Sequence, residues 1–145
     1  MSESNASSPL QHSSVFDLKA IAAKFPATAE TMLLDVRLTD EPAASSRLFR
    51  VYRPVPAHYH KTCDEYLQVV MGRARFVVEG YDRVELGPGQ VLFFRRNTVH
   101  GIPEIVEGPL VFFSVDAPRR DPSDVTFVDP AHGTAREFIR TVETY

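Results

Sequence analysis

The sequence predicts an all-β domain, either a sandwich or a barrel, with a short helix near each end of the chain. Turn-forming residues recur through the middle of the chain at intervals of mostly about 8 to 12 residues, which is typical of these two architectures. The segments between the turns are rich in Val, Phe and Tyr and are too short for helices. No helical pattern of about 10 to 15 residues separates them, so an alternating α/β fold is not expected.

The chain begins with a serine-rich stretch that has little apolar surface to bury. We therefore expect residues 1–13 to be a loose tail. With 145 residues in total, the remaining 14–145 are the size of one domain. A first helix is predicted over 15–25, because its apolar residues recur at helical spacing. Ser14 is expected to cap this helix and Pro26 to end it.

The strands are predicted from the apolar segments of the middle region. The clearest are Tyr66–Met71, Arg75–Val78, Gln90–Arg95 and Leu110–Asp116. Turns are expected at Gly72, Gly80, Gly87-Pro88-Gly89, Asn97, Gly108-Pro109 and Pro118.

A second helix is predicted to close the chain. Asp129-Pro130 resembles a helix cap followed by a proline at the first helical position. The apolar residues that follow at helical spacing are Ala131, Ala135, Phe138, Ile139 and Val142.

Charge, cysteine content and apolar runs narrow the classes of partner and location. Sixteen basic against nineteen acidic residues give a formal charge of −3, which does not favour a nucleic-acid partner. No apolar run exceeds four residues, so no membrane-spanning helix is expected. The single cysteine, Cys63, and the lack of a secretory signal pattern predict a cytoplasmic protein in a reducing compartment.

The first chemically informative stretch runs from His58 to Glu65. In an extended strand, residues two positions apart point to the same face, so His58 and His60 present two imidazoles side by side. Glu65 then opens a strand on a face that continues with apolar residues. A carboxylate on such a face needs a compensating charge or cation, and two histidines with a metal ion would supply it.

The second stretch runs from Gly87 to His100. A tight turn precedes one strand, Asn97 marks another turn, and His100 starts the next strand. A set of three histidines and one glutamate suits Fe, Mn, Ni, Zn or Cu, and on an octahedral ion it leaves two open positions. The candidate metal ligands are His58, His60, Glu65 and His100.

These two stretches resemble the two sequence motifs of the cupin superfamily. The first motif, G-x5-H-x-H-x3or4-E-x6-G, is matched at His58, His60, Glu65 and Gly72, while its leading glycine falls on Tyr52. The second, G-x5-P-x-G-x2-H-x3-N, is matched at Gly89 and His100. Its proline falls on Arg95, its inner glycine on Asn97 and its last residue on Glu104. Asn97 is expected to adopt the turn conformation that the glycine would supply.

The resemblance covers about residues 48–115 and implies a jelly-roll β-barrel that holds one divalent transition metal ion inside its mouth. It also implies a homodimer, and the odd-numbered residues Phe49, Val51 and Val55 offer apolar area for an interface. Cupins include dioxygenases, isomerases, epimerases and lyases as well as binding proteins. Two hypotheses remain open: a metal-dependent enzyme acting on a small polar molecule, or a non-catalytic ligand-binding or sensor protein.

Five further residues are assigned from their positions in the sequence. Arg50 and Tyr52 are even-numbered like His58, so in a continuous strand all three side chains would point to the same face. Both are therefore candidates to face the pocket. Cys63 is expected to be a residue of the connecting loop rather than a soft metal ligand. Outside the motifs, His12 and His132 are expected at the surface.

Overall fold

The computed structural model of the protein describes residues 13–145 and has the all-β jelly-roll fold that was predicted. Nine strands form one sheet: β1 (Leu33–Glu41), β2 (Ala44–Val51), β3 (Val55–Tyr59), β4 (Asp64–Val78), β5 (Tyr81–Leu86), β6 (Val91–Phe94), β7 (His100–Ala117), β8 (Thr126–Phe127) and β9 (Ile139–Thr144). The expected loose tail lies outside the described residues except for Ser13. Among residues 13–145, no helix has the length and apolar character needed to cross a membrane.

The sheet closes around two long strands. β4 and β7 pair antiparallel from Asp64↔Ala117 to Val78↔His100. The strand order is β5-β4-β7-β2-β1-β9, with β6 on β4, β3 on β7 and β8 on β3. The enclosed core includes Phe49, Phe76, Phe112 and Leu110. The barrel interior is therefore packed mainly with aromatic and aliphatic side chains.

Two predicted turns are instead positions inside the long strands. Gly72 lies within β4 and has φ +88, and Gly108-Pro109 lies within β7. A Cβ on Gly72 would collide with the backbone oxygen of Pro109 and lie 2.7 Å from that of Glu107. The glycine is thus required where the two strands approach closely, and the strand pairing shifts register there.

The N-terminal helix is shorter than predicted. Helix α1 spans Leu18–Ala22, and its cap is Asp17, whose Oδ1 accepts a hydrogen bond from Ala20 N at 3.1 Å. The predicted cap at Ser14 was wrong, since Asp17 performs that role three residues later. The helix packs on the outer face of β1 and β2, where Ile21 and Phe25 contact Leu34 and Leu48.

The predicted C-terminal helix was largely wrong. A 3₁₀ turn covers Pro130–His132, helix α2 covers only Ala135–Phe138, and β9 then pairs parallel to β1. Helix α2 begins with a capping box between Thr134 and Glu137. The β-branched residues after Phe138 favour an extended chain, and the free edge of β1 supplies its hydrogen-bond partners.

Candidate metal centre

Three histidines meet inside one end of the barrel. His58 on β3 and His100 on β7 are direct cross-strand partners, and His60 lies just after β3. One ring nitrogen from each histidine falls within 4.8 Å of the other two. The three residues are buried, with exposed fractions of 4%, 6% and 3% for His58, His100 and His60. Burial and proximity together make this a candidate metal cluster.

The outer ring nitrogen of each histidine is fixed by a backbone carbonyl. The Nδ1 atoms of His58, His60 and His100 lie 2.8, 2.7 and 2.9 Å from the carbonyl oxygens of Pro56, Asp124 and Thr98. A carbonyl oxygen only accepts hydrogen bonds, so each Nδ1 carries the proton. A ring protonated only on Nδ1 keeps the lone pair on Nε2, which is the state that a metal ligand requires.

Burial favours the neutral form of two of these rings. It is the main cause that lowers the pKa of His58 well below its ordinary value, and the neighbouring His100 and His60 lower it further. Burial followed by the proximity of His60 lowers the pKa of His100 to about 4. Both residues are accordingly unprotonated near neutral pH and available to bind a cation.

Glu65 lies beside this cluster and presents its two oxygens to different partners. Its Oε1 is 3.3 Å from His60 Nε2. Its Oε2 accepts from Ser114 Oγ at 2.8 Å and from Arg47 Nη2 at 3.3 Å. Burial by itself raises the pKa of Glu65, but His60, Arg120 and Arg47 outweigh it and hold the pKa well below its ordinary value. The buried side chain is therefore a carboxylate.

The contact between Glu65 and His60 fits a cation. Glu65 Oε1 and His60 Nε2 lie 3.3 Å apart, a distance across which a proton on that nitrogen would be shared when no metal is bound. A metal ion would take the place of that proton, and two ligands that are each about 2.0 to 2.2 Å from one ion lie about 3 Å apart. The three histidines thus fit a divalent metal ion, and the Glu65 carboxylate lies beside them.

A buried group of charged residues surrounds Glu65, and the sequence did not reveal it. Arg47 lies between three carboxylates: Asp35 at 3.5 Å, Glu65 at 3.3 Å and Asp116 at 3.3 Å. Arg120 Nε lies 3.6 Å from Asp116. Burial, and next the Glu65 charge, raise the pKa of Asp116. One signal was available, since Asp116 continues the inward-facing alternation of Leu110 and Phe112 along β7.

A small cavity lies beside the three histidines. Its volume is about 30 Å³, and the exposed surface of its walls is mostly apolar. The ring of Phe94 lies 3.9 Å from that of His100, and the rings of Phe127 and Phe138 lie 5.6 and 5.1 Å from that of His58. Phe127 and Phe138 belong to residues 118–138, which we call the strap. The strap therefore lies against the histidines at this end of the barrel.

Asp124 fastens the strap to the loop that joins β3 and β4. Its carboxylate accepts hydrogen bonds from Lys61 N at 2.8 Å and from Thr62 N and Oγ1 at 3.0 and 2.6 Å. Its backbone oxygen holds the ring of His60. Arg120 Nη1 is also 3.2 Å from His60 Nδ1, but the shorter carbonyl contact fixes Nδ1 as a donor. The strap therefore shapes the metal centre directly.

Two predicted pocket residues face the other side of the sheet. Arg50 Nη1 and Tyr52 Oη both donate to Pro26 O, at 3.2 and 2.8 Å, beside helix α1. Neither lines the cavity. The inward-facing residues of β2 have odd numbers, whereas His58 on β3 faces inward with an even number. The alternation changes because residues 52–54 interrupt the strand and because the pairing of β3 with β7 shifts between Val55 and His58.

The remaining predicted positions fall as follows. Cys63 is a loop residue but is buried, and burial followed by the nearby Asp116 charge raises its pKa to about 12. Asn97 has φ 66, as expected of a residue that replaces a glycine, and Arg95 O accepts from Thr98 N at 3.1 Å to close that turn. His132 is exposed, whereas His12 lies outside the described residues.

Comparison with known proteins supports the same fold. Residues 51–116 match the cupin domain family. A putative mannose-6-phosphate isomerase from Ralstonia eutropha is 21% identical with a TM-score of 0.62, over 72% of this chain and 98% of that one. KdgF from a Halomonas species is 23% identical with a TM-score of 0.56, over 62% and 82%. No curated protein matches the chain by sequence.

A third solved structure carries the fold in its description. An RmlC-like cupin with a double-stranded β-helix fold from Methanocaldococcus jannaschii is 21% identical with a TM-score of 0.52, over 66% of this chain and 87% of that one. Identities at this level establish the fold and leave the activity to be argued from the site itself.

Proposed function

We propose that the chain is a cupin, that it binds one divalent transition metal ion and that it acts on a small molecule at that ion. The ligands are His58, His60, Glu65 and His100. The observation that carries the proposal is the convergence of three buried, Nδ1-protonated histidines next to a carboxylate. The ion is Fe, Mn, Ni, Zn or Cu, which imidazole and carboxylate ligands suit.

The protein residues orient the ligands, exclude water and hold protons on the outer ring nitrogens. A bound divalent ion would supply Lewis-acid polarisation of a substrate oxygen or, if redox-active, oxygen chemistry. The small volume of the cavity, about 30 Å³, favours a small ligand, and Arg47 and Arg120 in its lining favour one with polar groups. We favour an enzyme, of the dioxygenase type or of the isomerase, epimerase or lyase type, because four protein ligands leave open positions on an octahedral ion.

The names of similar structures include an isomerase, and this agrees with the Lewis-acid version of the proposal. The second candidate function is a non-catalytic ligand-binding or sensor protein. The contacts of the strap with His58 and His60 favour it, since a segment packed against the site also suits retention of a bound molecule.

The first test is metal content. Protein purified without a nickel column is expected to hold about one divalent metal per chain by elemental analysis. Ala substitution of His58, His60, Glu65 or His100 should each reduce metal affinity strongly, and His132→Ala should not. A wild-type protein that takes up none of Fe, Mn, Ni, Zn and Cu on titration would contradict the proposal.

A second test separates the two candidate functions. Each metal form is incubated with sets of sugars, keto-acids, phenols and thiols, with and without oxygen. An oxygenase consumes oxygen only with its substrate present, whereas a Lewis-acid enzyme works without oxygen and tolerates Zn or Mn. Ligand binding without turnover in any metal form would favour the sensor.

We also propose a homodimer located in the cytoplasm. The residues first considered for the interface, Phe49, Val51 and Val55, are core residues with at most 4% exposure, so that surface is excluded. A second apolar surface is available on the outside of the sheet, formed by Tyr66, Val91 and Phe93 with exposed fractions of 47%, 58% and 44%. The unpaired, buried Cys63 fits a reducing compartment.

A further inference from the structure

We propose that Ser114 and Arg47 are positioning residues that make Glu65 offer the metal a single oxygen. The inference rests on the proposed metal centre and adds the reason that this centre keeps open positions for a substrate. Ser114 does not line the cavity, and Arg47 lines it only as a cation, which cannot be a metal ligand, so both act through the glutamate.

The two oxygens of Glu65 have different surroundings. Oε2 receives a hydrogen bond of 2.8 Å from Ser114 Oγ and one of 3.3 Å from Arg47 Nη2. Oε1 receives neither, and it faces His60 Nε2 at 3.3 Å. The carboxylate is thus turned so that one oxygen is occupied by donors and the other is directed toward the histidines.

Strand pairing places the two donors where they hold this orientation. Arg47 on β2 is the cross-strand partner of Ser114 on β7, and Ser114 is paired with Leu67 on β4, two residues after Glu65. The Ser114 hydroxyl also accepts from Arg47 Nη2 at 3.5 Å. All three side chains are buried, so solvent water does not compete for Oε2 in the closed barrel.

The arrangement has a direct consequence for coordination. A carboxylate can bind a metal through one oxygen or both. Binding through both would require Oε2 to give up two buried hydrogen bonds, and a buried donor left unpaired destabilises the folded protein. Glu65 is therefore held as a one-oxygen ligand, and an octahedral ion keeps about two positions for water or substrate.

The test uses Ser114→Ala, because a change at Arg47 would leave three buried carboxylates without their cation and is expected to prevent folding. Mn²⁺ is the probe, and water-proton relaxation counts the water molecules that it binds. The wild type is expected to hold about two bound waters. Ser114→Ala leaves Oε2 with only the longer contact from Arg47 at 3.3 Å, so Oε2 can approach the ion, the count falls toward one, and Mn²⁺ affinity falls about tenfold.

Two variants serve as controls. Ser45→Ala removes an equally buried hydroxyl that accepts from Arg120 N at 3.1 Å and makes no hydrogen bond to Glu65, so its water count should equal that of the wild type. Ser114→Thr keeps the hydroxyl and should restore both the water count and the affinity. A merely structural role of Ser114 would lower the melting temperature without changing the water count.

The outcomes separate this inference from the proposed function. Mn²⁺ uptake by the wild type with an unchanged water count in Ser114→Ala would overturn the inference and leave the metal centre intact. A fall in the count in Ser45→Ala as well would also overturn it, because the effect would not come from Glu65. A wild type that binds no divalent metal at all would overturn both.

Discussion

At the scale of single residues, the metal-free centre is expected to destabilise the protein in acid. The pKa of His100 is lowered to about 4, mainly by burial and then by His60. An unfolded chain binds this proton near pH 6.5, so stability falls as the pH drops below about 6.5 and levels off below about 4. His58, whose pKa is lowered by burial and then His100, acts in the same direction.

The expected loss between pH 7 and pH 5 is about 2 kcal/mol for His100. Asp116 opposes it in part, because burial and then Glu65 raise its pKa and the folded state holds that proton more readily. Urea unfolding of the metal-free protein at the two pH values measures the net effect. The loss of unfolding free energy between pH 7 and pH 5 should be smaller in His100→Asn than in the wild type, and unchanged in the exposed His132→Asn. An equal loss in all three proteins would refute this account.

A second residue-scale prediction concerns the glycine at the crossing of the long strands. Gly72→Ala places a Cβ against the backbone oxygens of Pro109 and Glu107 and forces an L-residue to φ +88. We expect a loss of roughly 3 kcal/mol or more in the free energy of unfolding. Gly80→Ala, at φ +91 with nothing within 4 Å, should lose only about 1 kcal/mol. Equal losses would show that strand contact plays no part.

The sequence predicts some residues of the centre better than others for a physical reason. His58, His60 and His100 can be found because strand periodicity and motif spacing act over short distances in the chain. Arg47 and Asp116 are brought to Glu65 only by the pairing of β2, β4 and β7. Arg47 is an ordinary charged residue until that pairing is known, and the alternation along β7 marks Asp116 only as inward-facing.

At the scale of elements, the end of the chain shows how local pattern and tertiary pairing compete. Residues 131–142 carry apolar residues at helical spacing, yet only Ala135–Phe138 is α-helical. The segment Ile139–Thr144 contains two threonines and a valine, which favour an extended chain, and it pairs with β1. The residue pattern of this segment gives no information about the free edge of β1, which is distant in sequence. Strand β9 therefore could not be predicted from the sequence.

The strap supplies the element-scale prediction. Asp124→Ala removes the acceptor that Lys61 N, Thr62 N and Thr62 Oγ1 share, so the strap should open more often. We expect faster hydrogen exchange in residues 120–128, faster metal release and a loss of about 1 to 3 kcal/mol in stability.

Asp121→Ala is the matched control on the same strap. The Asp121 carboxylate accepts only from Ser123, two residues away, and does not fasten the strap to the barrel. This variant should exchange hydrogen and release metal at wild-type rates. If both variants behaved alike, the contacts of Asp124 with the β3–β4 loop would not control access to the centre.

At the scale of the whole molecule, the fold class followed from turn spacing, but the length of the strands did not. The sequence divided β4 at Gly72 and β7 at Gly108-Pro109, whereas each strand continues through these residues. The pairing of β4 with β7 keeps both strands extended at these turn-forming residues, because each backbone finds its hydrogen-bond partners in the other strand. This continuity lets Glu65 and His100, at opposite ends of the pairing, share one interior.

The last prediction concerns assembly, and it follows from the outer face of the sheet. The rings of Tyr66 and Phe93 lie 4.7 Å apart beside a groove lined by Tyr66, Gln68, Val91, Phe113 and Val115. This surface contains no charged side chain, and strand β6 is paired only with β4 among the described residues. A second copy of the chain, related by a two-fold axis, would cover the same apolar surface on both molecules.

Light scattering at tens of micromolar is therefore expected to give twice 16.3 kDa. Phe93→Lys should give the monomer mass, and Tyr81→Lys, at an exposed position on β5, should remain dimeric. A wild-type mass near 16.3 kDa would contradict the dimer, and a dimer unaffected by Phe93→Lys would place its interface elsewhere.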